Sequence, residues 1–325
     1  MRHCTSWVIS VVFAIVAGTA NGQEWPTKPV RFIVPAPPAE STDITMRLLG
    51  DRLSHILGQP VIVENRPGAS GAIGMRAVAR SPSDGYTYLF APAYTIVILP
   101  SLLKEAGLDL NRDFTPVAGI GGTPMLIAAN PKLGAKTLSE VITLAKAQPG
   151  KITVANIQHA SLPFLVVELL NQLAGVRLYN VSFGGTTQAV TATIIGDASL
   201  VAGGSMSLMS YVKSGKLTAI AVTSPQKLPG FEAYPLANEA VPGLTVMGWM
   251  GILSPKGTST AIVRLVNANV NKVLAMPDIG AKLKDLGMYP MPGTMPGTTQ
   301  NFTDFIAEER RRWEKVLKAA HIEPQ

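Results

Sequence analysis

The chain has 325 residues, 47% of them hydrophobic, enough apolar surface for a sizeable core and more than one compact core usually holds; two domains are expected and disorder is excluded as the main state. The net charge of +7, from 28 basic and 21 acidic residues, is spread singly, without the basic stripe that a nucleic-acid surface needs. The single cysteine, Cys4, excludes a disulfide framework and a thiolate metal cluster.

Residues 1–22 combine a basic start (Arg2, His3), an apolar run from Trp7 to Ala17 and a small-residue end. The run is shorter than the roughly 20 residues of a membrane-spanning helix, and Cys4 precedes it, where a lipoprotein cysteine would follow it. This pattern predicts a cleaved signal peptide, cut after Ala20 or Gly22, and an exported, soluble mature protein.

The β-branched run 30–34 ends at Pro35, as a buried strand feeding a loop does. Asp43 stands where it can cap the next helix, in which Ile44, Leu48, Leu49, Ile56 and Leu57 recur near helical spacing up to Gly58. A strand at 60–64, a glycine loop at 68–74, a short helix at 73–80 and a strand at 86–90 follow. Strands alternating with helices predict right-handed crossovers and a mostly parallel sheet. The pattern restarts with a strand at 125–129 and a helix at 138–148, then continues through strands near 152–155, 177–182, 199–202 and 217–222 and helices near 163–173 and 188–195. What remains after residue 244 is too much for the second unit, so the chain is expected to return to the first. The closing helix is capped by Thr298 or Thr299; Phe302, Phe305, Ile306, Trp313, Val316, Leu317 and Ala320 share one face, and the run Glu308 to Arg312 reads as a solvated face with i,i+4 pairs.

Motifs of catalysis are weak. Neither Gly68-Ala69-Ser70-Gly71-Ala72 nor Gly203-Gly204-Ser205 forms a nucleophile elbow, and Gly68, Gly71 and Gly74 match neither the dinucleotide fingerprint nor a phosphate loop. His55, His159 and His321 lack metal-ligand spacing; His159 lies in a loop after a strand, where open sheets present binding groups. No cofactor, metal or catalytic residue is therefore expected. Loops rich in Gly, Ser, Thr and Asn before helix N-termini, whose unpaired N–H groups suit carboxylates, point to a hinged solute receptor.

Six stretches, WPTKPVRFIVP at 25–35, ENRPGASG at 64–71, DGYT at 84–87, DFTPV at 113–117, QPGKI at 148–152 and SGKL at 214–217, with WMGI at 249–252, carry a resemblance over nearly all of the mature length. The chain resembles the Bug-type (TctC-like) substrate-binding proteins of tripartite tricarboxylate transporters. The resemblance implies an α/β, periplasmic-binding-protein-like fold of two lobes joined by two crossing strands near 123–129 and 244–254, with 23–123 and 245–325 as lobe 1 and 124–244 as lobe 2. It implies a monomeric periplasmic receptor for a small organic acid, delivered to the membrane permease subunits of such a transporter or to a sensor protein; a secreted enzyme using His159 with Ser161 or Asp197 is the rival class.

Pro38, Ala39, Glu40, Ser41 and Asp43 then occupy the first-lobe loop, where the family usually has Pro-Phe-Pro-Pro-Gly-Gly-x-x-Asp; the double glycine is lost and Glu40 adds a negative charge. Asn156, Gln158, His159 and Ser161 fall in the second-lobe loop, usually Ser-x-Gly-x-Gly-Ser, while Phe183, Gly184 and Gly185 replace a usual Tyr-Lys-Gly. Ser70, Gly71, Tyr94, Thr95, Thr186 and Gly204 complete the expected ligand-binding set. With Phe183, Met206 and Met209 beside small glycines, the altered pocket suits a more apolar or aromatic acid; a dicarboxylate held through water and backbone is the alternative.

Overall fold

The computed structural model describes residues 25–103, 107–157, 160–291 and 295–323. The expected signal peptide, Gln158 and His159 lie outside the described residues. In chain order the elements are β1 (Val30–Val34), α1 (Ser41–Leu57), β2 (Val61–Asn65), α2 (Ala72–Ala79), β3 (Thr87–Pro92), α3 (Leu99–Leu102), α4 (Leu110–Asp113) and β4 (Phe114–Ala129). Then come α5 (Leu138–Ala147), β5 (Thr153–Asn156), α6 (Leu162–Ala174), β6 (Tyr179–Ser182), α7 (Thr186–Ile195), β7 (Leu200–Gly204), α8 (Ser205–Lys213) and β8 (Thr218–Val222). The chain closes with α9 (Ala237–Ala240), β9 (Met247–Pro255), α10 (Thr260–Leu274), α11 (Pro277–Asp285) and α12 (Thr299–Ala319).

Local chemistry sets the ends of these helices. Thr137 and Glu140 form a capping box at α5, Ser161 caps α6 and Thr298 caps α12, while Gly58, Gly175 and Gly196 end α1, α6 and α7 in the left-handed conformation. Asp43 is not the cap of α1: the helix begins two residues earlier, Glu40 holds the N-cap position without a side-chain bond, and Asp43 sits in the first turn. The N-cap of α7 is Gly185, also without a side-chain bond.

The strand order is β2-β1-β3-β9-β4-β7-β5-β6, with β8 also on β4. Pairs β1–β2, β1–β3, β5–β6 and β5–β7 are parallel, but β3–β9, β9–β4, β4–β7 and β4–β8 are antiparallel. The sheet is therefore mixed instead of mostly parallel, because the returning β9 inserts between β3 and β4 in the opposite direction. The first sheet, β2-β1-β3-β9, shares β4 with the second, β8-β4-β7-β5-β6.

The expected strand at 125–129 is only the end of β4, which starts eleven residues earlier. Pro116, Gly119, Gly121, Gly122 and Pro124 read locally as a loop, yet they pair with β9 across two register shifts. The glycines make room: a Cβ on Gly121 would lie 2.7 Å from the Tyr289 carbonyl oxygen, and one on Gly122 would lie 2.8 Å from Met247 and Met291 side-chain atoms. Under the first sheet, Phe32 stacks on Tyr88 with centroids 5.2 Å apart, in a core closed by α1, α10 and α11. Across the other face, α12 packs on β4, α6 and the π-helical turn Tyr94–Ile98, touching both sheets.

α12 carries a correction to the sequence reading. Glu309, in the run expected to be solvated, is only 8% exposed. Its Oε2 accepts hydrogen bonds from the indole N–H of Trp249 and of Trp313, each at 3.1 Å, and Arg312 lies 3.5 Å from Oε1. Burial of a carboxylate is tolerated when its lone pairs are engaged in this way.

Candidate functional site

Strand register brings the expected site residues to two facing edges. β1, β2 and β3 run in parallel, so the loops after them emerge at one edge of the first sheet; the loops after β5, β6 and β7 share one edge of the second. Pro92, the last residue of β3, pairs with Met250, which is level with Gly121 of β4. Gly204, the last residue of β7, pairs with Met125, also on β4. Four residues of extended chain therefore separate the two edges, about 13 Å. Gly122, Thr123 and Pro124, paired with Trp249, Gly248 and Met247, floor the space between them. Ligands of open α/β sheets bind outside the carboxyl ends of strands, and here two such ends face each other.

The first edge is tied by Asp43. Its Oδ2 accepts the Ala39 N–H at 2.9 Å, and its Oδ1 accepts from the Asn65 amide at 2.9 Å and from the Arg47 guanidinium at 3.0 Å. Asn65 also donates to the Ala36 carbonyl at 3.0 Å, so the loop after β1 is locked to the end of β2. Burial opposes the charge on Asp43, but the bonds from Arg47, Ala39 and Asn65 outweigh it and hold the carboxyl below the usual aspartate range. Ala39 adopts φ 67°, the left-handed conformation the family's glycine would take without strain. Pro38, Ala39, Glu40 and Ser41 are exposed, and among the described residues the Glu40 carboxylate has no hydrogen bond or ion pair.

Ser70, Gly71, Tyr94 and Thr95 form one cluster beside this loop. The Thr95 hydroxyl lies 3.5 Å from the Ser70 carbonyl oxygen. Gly71, at φ 105°, faces Thr95 so closely that a Cβ would lie 2.8 Å from its Cγ2 and 2.9 Å from its Oγ1. Ala69 and Ser70 are both left-handed, at φ 46° and 55°. Such strain gathers where a loop must present its backbone to a ligand. Burial raises the Tyr94 phenol above its ordinary range, and a hydrogen bond with Ser70 partly restores it.

At the second edge Asn156 is fully buried. Its amide nitrogen donates to the Asn180 side-chain oxygen, and the Asn180 amide nitrogen donates to Glu168 Oε1 at 2.5 Å. A carboxylate only accepts, so it orients both amides and leaves the Asn156 Oδ1 without a partner. The Asn156 carbonyl accepts the Phe183 N–H at 2.8 Å, joining the loops after β5 and β6, and the Gly184 N–H donates to Gln188 Oε1 at 2.9 Å. Phe183, Gly185 and Thr186 are half-buried and Gly184 is exposed. Ser161 uses its hydroxyl to accept the Phe164 N–H at 3.4 Å. Gly204 precedes α8 as its N-cap, followed by Ser205, whose fully buried hydroxyl has no partner. Met209 is buried and Met206 is 45% exposed, lying against Gly287.

Among the described residues no hydrogen bond crosses between the two edges, and the expected set contains neither lysine nor arginine. Charge for an anion comes instead from helix ends: α1, α7 and α8 start at these edges with no side-chain cap on their N–H groups. Asn65, Arg47, Asn180 and Glu168 were not among the expected residues. Asn65 lay within a quoted motif and Ser205 within the rejected Gly203-Gly204-Ser205 pattern, and Arg47 stands one turn after Asp43; Asn180 and Glu168 had no local signal, since they meet Asn156 and each other from separate segments.

The chain is similar to proteins of known family. Residues 45–322 match the model of the tripartite tricarboxylate transporter family receptor. The chain is 33% identical over 315 residues to a UPF0065 protein of Bordetella bronchiseptica, covering 97% of this chain and 92% of the relative. It is similar in structure to Rpa4515 of R. palustris solved with adipate (29% identity, TM-score 0.76, 93% of this chain and 100% of that one). MatC from Rhodopseudomonas palustris with bound malate gives 29% identity and a TM-score of 0.72, over 90% and 100% of the two chains. The α/β, periplasmic-binding-protein-like fold follows from these matches, and no helix among the described residues is long and apolar enough to cross a membrane.

Proposed function

The chain belongs to the tripartite tricarboxylate transporter receptor family, and from that premise we propose that it captures a small organic acid between its two facing loop edges and hands it to the membrane subunits of such a transporter. The register of β4, which supports a space of about 13 Å between the carboxyl ends of β3 and β7, carries the reading. In this reading residues 23–123 and 245–325 form one lobe, 124–244 the other, and β4 and β9 are the crossing strands. Pro38 to Ser41, Ser70, Gly71, Tyr94 and Thr95 meet one end of the ligand; Asn156, Gln158, His159, Phe183 to Thr186 and Gly204 meet the other, while Asp43 and Ser161 shape their loops. Residues 1–22 direct export to the periplasm and are removed. No catalytic step is assigned to the cleft.

Related receptors solved with adipate and malate make linear dicarboxylates the first ligands to test. The half-buried Phe183 and the loss of the family's lysine favour acids with a longer or more apolar body. Thermal unfolding of residues 23–325 with adipate, malate, aromatic acids and amino acids should show a rise in Tm for one acid class, since saturation at about 100 Kd stabilises by about 2.7 kcal/mol. A rise for amino acids alone, or for no acid with ligand-free protein, would refute the reading.

A further inference from the structure

A second cavity, of about 240 Å³, lies at the far end of β4 from the cleft. Its floor is apolar, formed by Leu110, Phe114 and Ile306, which are 5%, 1% and 3% exposed. Thr303, Lys256 and Arg310 stand on its walls. Phe114 pairs with Pro255, seven strand positions before Gly121, so the cavity and the cleft are about 20 Å apart along β4.

The cations here are only weakly compensated. The Arg310 Nε is buried without a hydrogen-bond partner, and its only ion pair among the described residues, with Glu314 at 3.6 Å, is outside hydrogen-bonding distance. The Lys256 ammonium is exposed and has no partner among the described residues, while its backbone N–H is fixed on the Asp113 carbonyl at 2.9 Å. The Asp113 carboxylate does not neutralise them, because it is held by the Arg112 guanidinium at 2.7 and 2.8 Å and by the Asp109 N–H at 2.8 Å. Two cations therefore line an apolar floor, and the carboxylate paired with Arg310, Glu314, is not among the lining residues. The Arg310 side chain as a whole is 33% exposed, and its terminal nitrogens have no hydrogen-bond partner among the described residues, so an anionic oxygen can meet the guanidinium there.

We propose that this cavity is a second ligand site, which takes a small monocarboxylate with a compact apolar body. The carboxylate meets Arg310 and Lys256, and the body covers Leu110, Phe114 and Ile306. The volume equals that of about eight waters, room for one small ring or branched chain. A dicarboxylate of that size would set its second charge on the apolar floor, so the site selects against the ligands proposed for the cleft.

The test uses 4-bromobenzoate and benzoate on residues 23–325, with benzyl alcohol and adipate as controls. In crystals the bromine anomalous signal should fall in this cavity. By calorimetry benzoate should bind at least tenfold more weakly to Arg310→Gln and several-fold more weakly to Lys256→Gln, with Arg310→Lys in between. The response to adipate should be the same in all of them, and benzyl alcohol should not bind. The site is refuted if bromine appears only in the cleft, if benzoate affinity survives both neutral variants, or if benzyl alcohol binds as well as benzoate. Should Arg310→Gln not fold, the exposed Lys256 variant carries the test. Failure of adipate in every protein bears on the cleft alone.

Discussion

Among single residues, Asp43 holds the first edge of the cleft, and its chemistry predicts a pH dependence. Its folded pKa lies below the ordinary 3.8, so its contribution is fully present above that range and is lost as the pH falls through the lowered value. Urea unfolding should show stability declining on acidification below about pH 4, and Asn at position 43 should cost stability near neutrality while flattening that decline. Ala39 occupies a left-handed conformation that costs an L-residue about 1–2 kcal/mol, partly offset by glycine's freer unfolded chain. Ala39→Gly should therefore stabilise by about 0.5 kcal/mol in the same assay. Glu40, exposed and unpaired at the N-cap of α1, opposes any anion placed there. Glu40→Gln should tighten carboxylate binding about two- to fivefold, less at high salt, by calorimetry. Ala39 and Glu40 were visible in the sequence as departures from the family's loop and Asp43 as its retained acid, but the left-handed φ of Ala39 and the role of Asp43 in tying the loop belong to the folded chain.

Among the elements, α12 shows where periodicity stops being informative. Its apolar face was legible from Phe302 to Leu317, and so was the cap at Thr298. Glu309 was hidden in a run of charges, because the indole it serves arrives on β9, 60 residues away in sequence. Glu309→Ala should leave two buried indole N–H groups unpaired and cost about 2–4 kcal/mol in urea unfolding. Glu309→Gln retains an acceptor and should cost about half as much, with the near-ultraviolet signal of Trp249 and Trp313 preserved; equal loss in both variants would argue that packing, not the acceptor, is what matters. β4 teaches the converse lesson. Its glycines and prolines argue for a loop, and pairing with β9 overrides that local preference because Tyr289, Met247 and Met291 need the space their missing side chains leave.

For the molecule as a unit, two edges that face each other across a shared strand, with no hydrogen bond between them among the described residues, suit closure on a ligand. α12 packs on β4, which the two sheets share, so the motion is expected at the bulged stretch of β4 and at β9. Small-angle scattering should report a smaller radius of gyration when a ligand that raises the Tm is added; an unchanged radius with saturating ligand would count against closure.

The order of residues was enough to specify much of the alternation of strands and helices, the bounds of α5 and α6, the glycine stop of α1 and the cap of α12, the six stretches that identify the family and which loops follow which strands. These properties depend on interactions within a few residues, such as caps, turns and periodic burial. Only the folded chain shows that β9 enters antiparallel between β3 and β4, that the two loop edges lie about 13 Å apart, and that Glu309, Asn180 and Arg310 meet the partners or cavities they do. Those facts are set by register between segments far apart in the chain, 139 residues in the bond from Ser254 to the Thr115 carbonyl, and no local pattern of side chains encodes such a register.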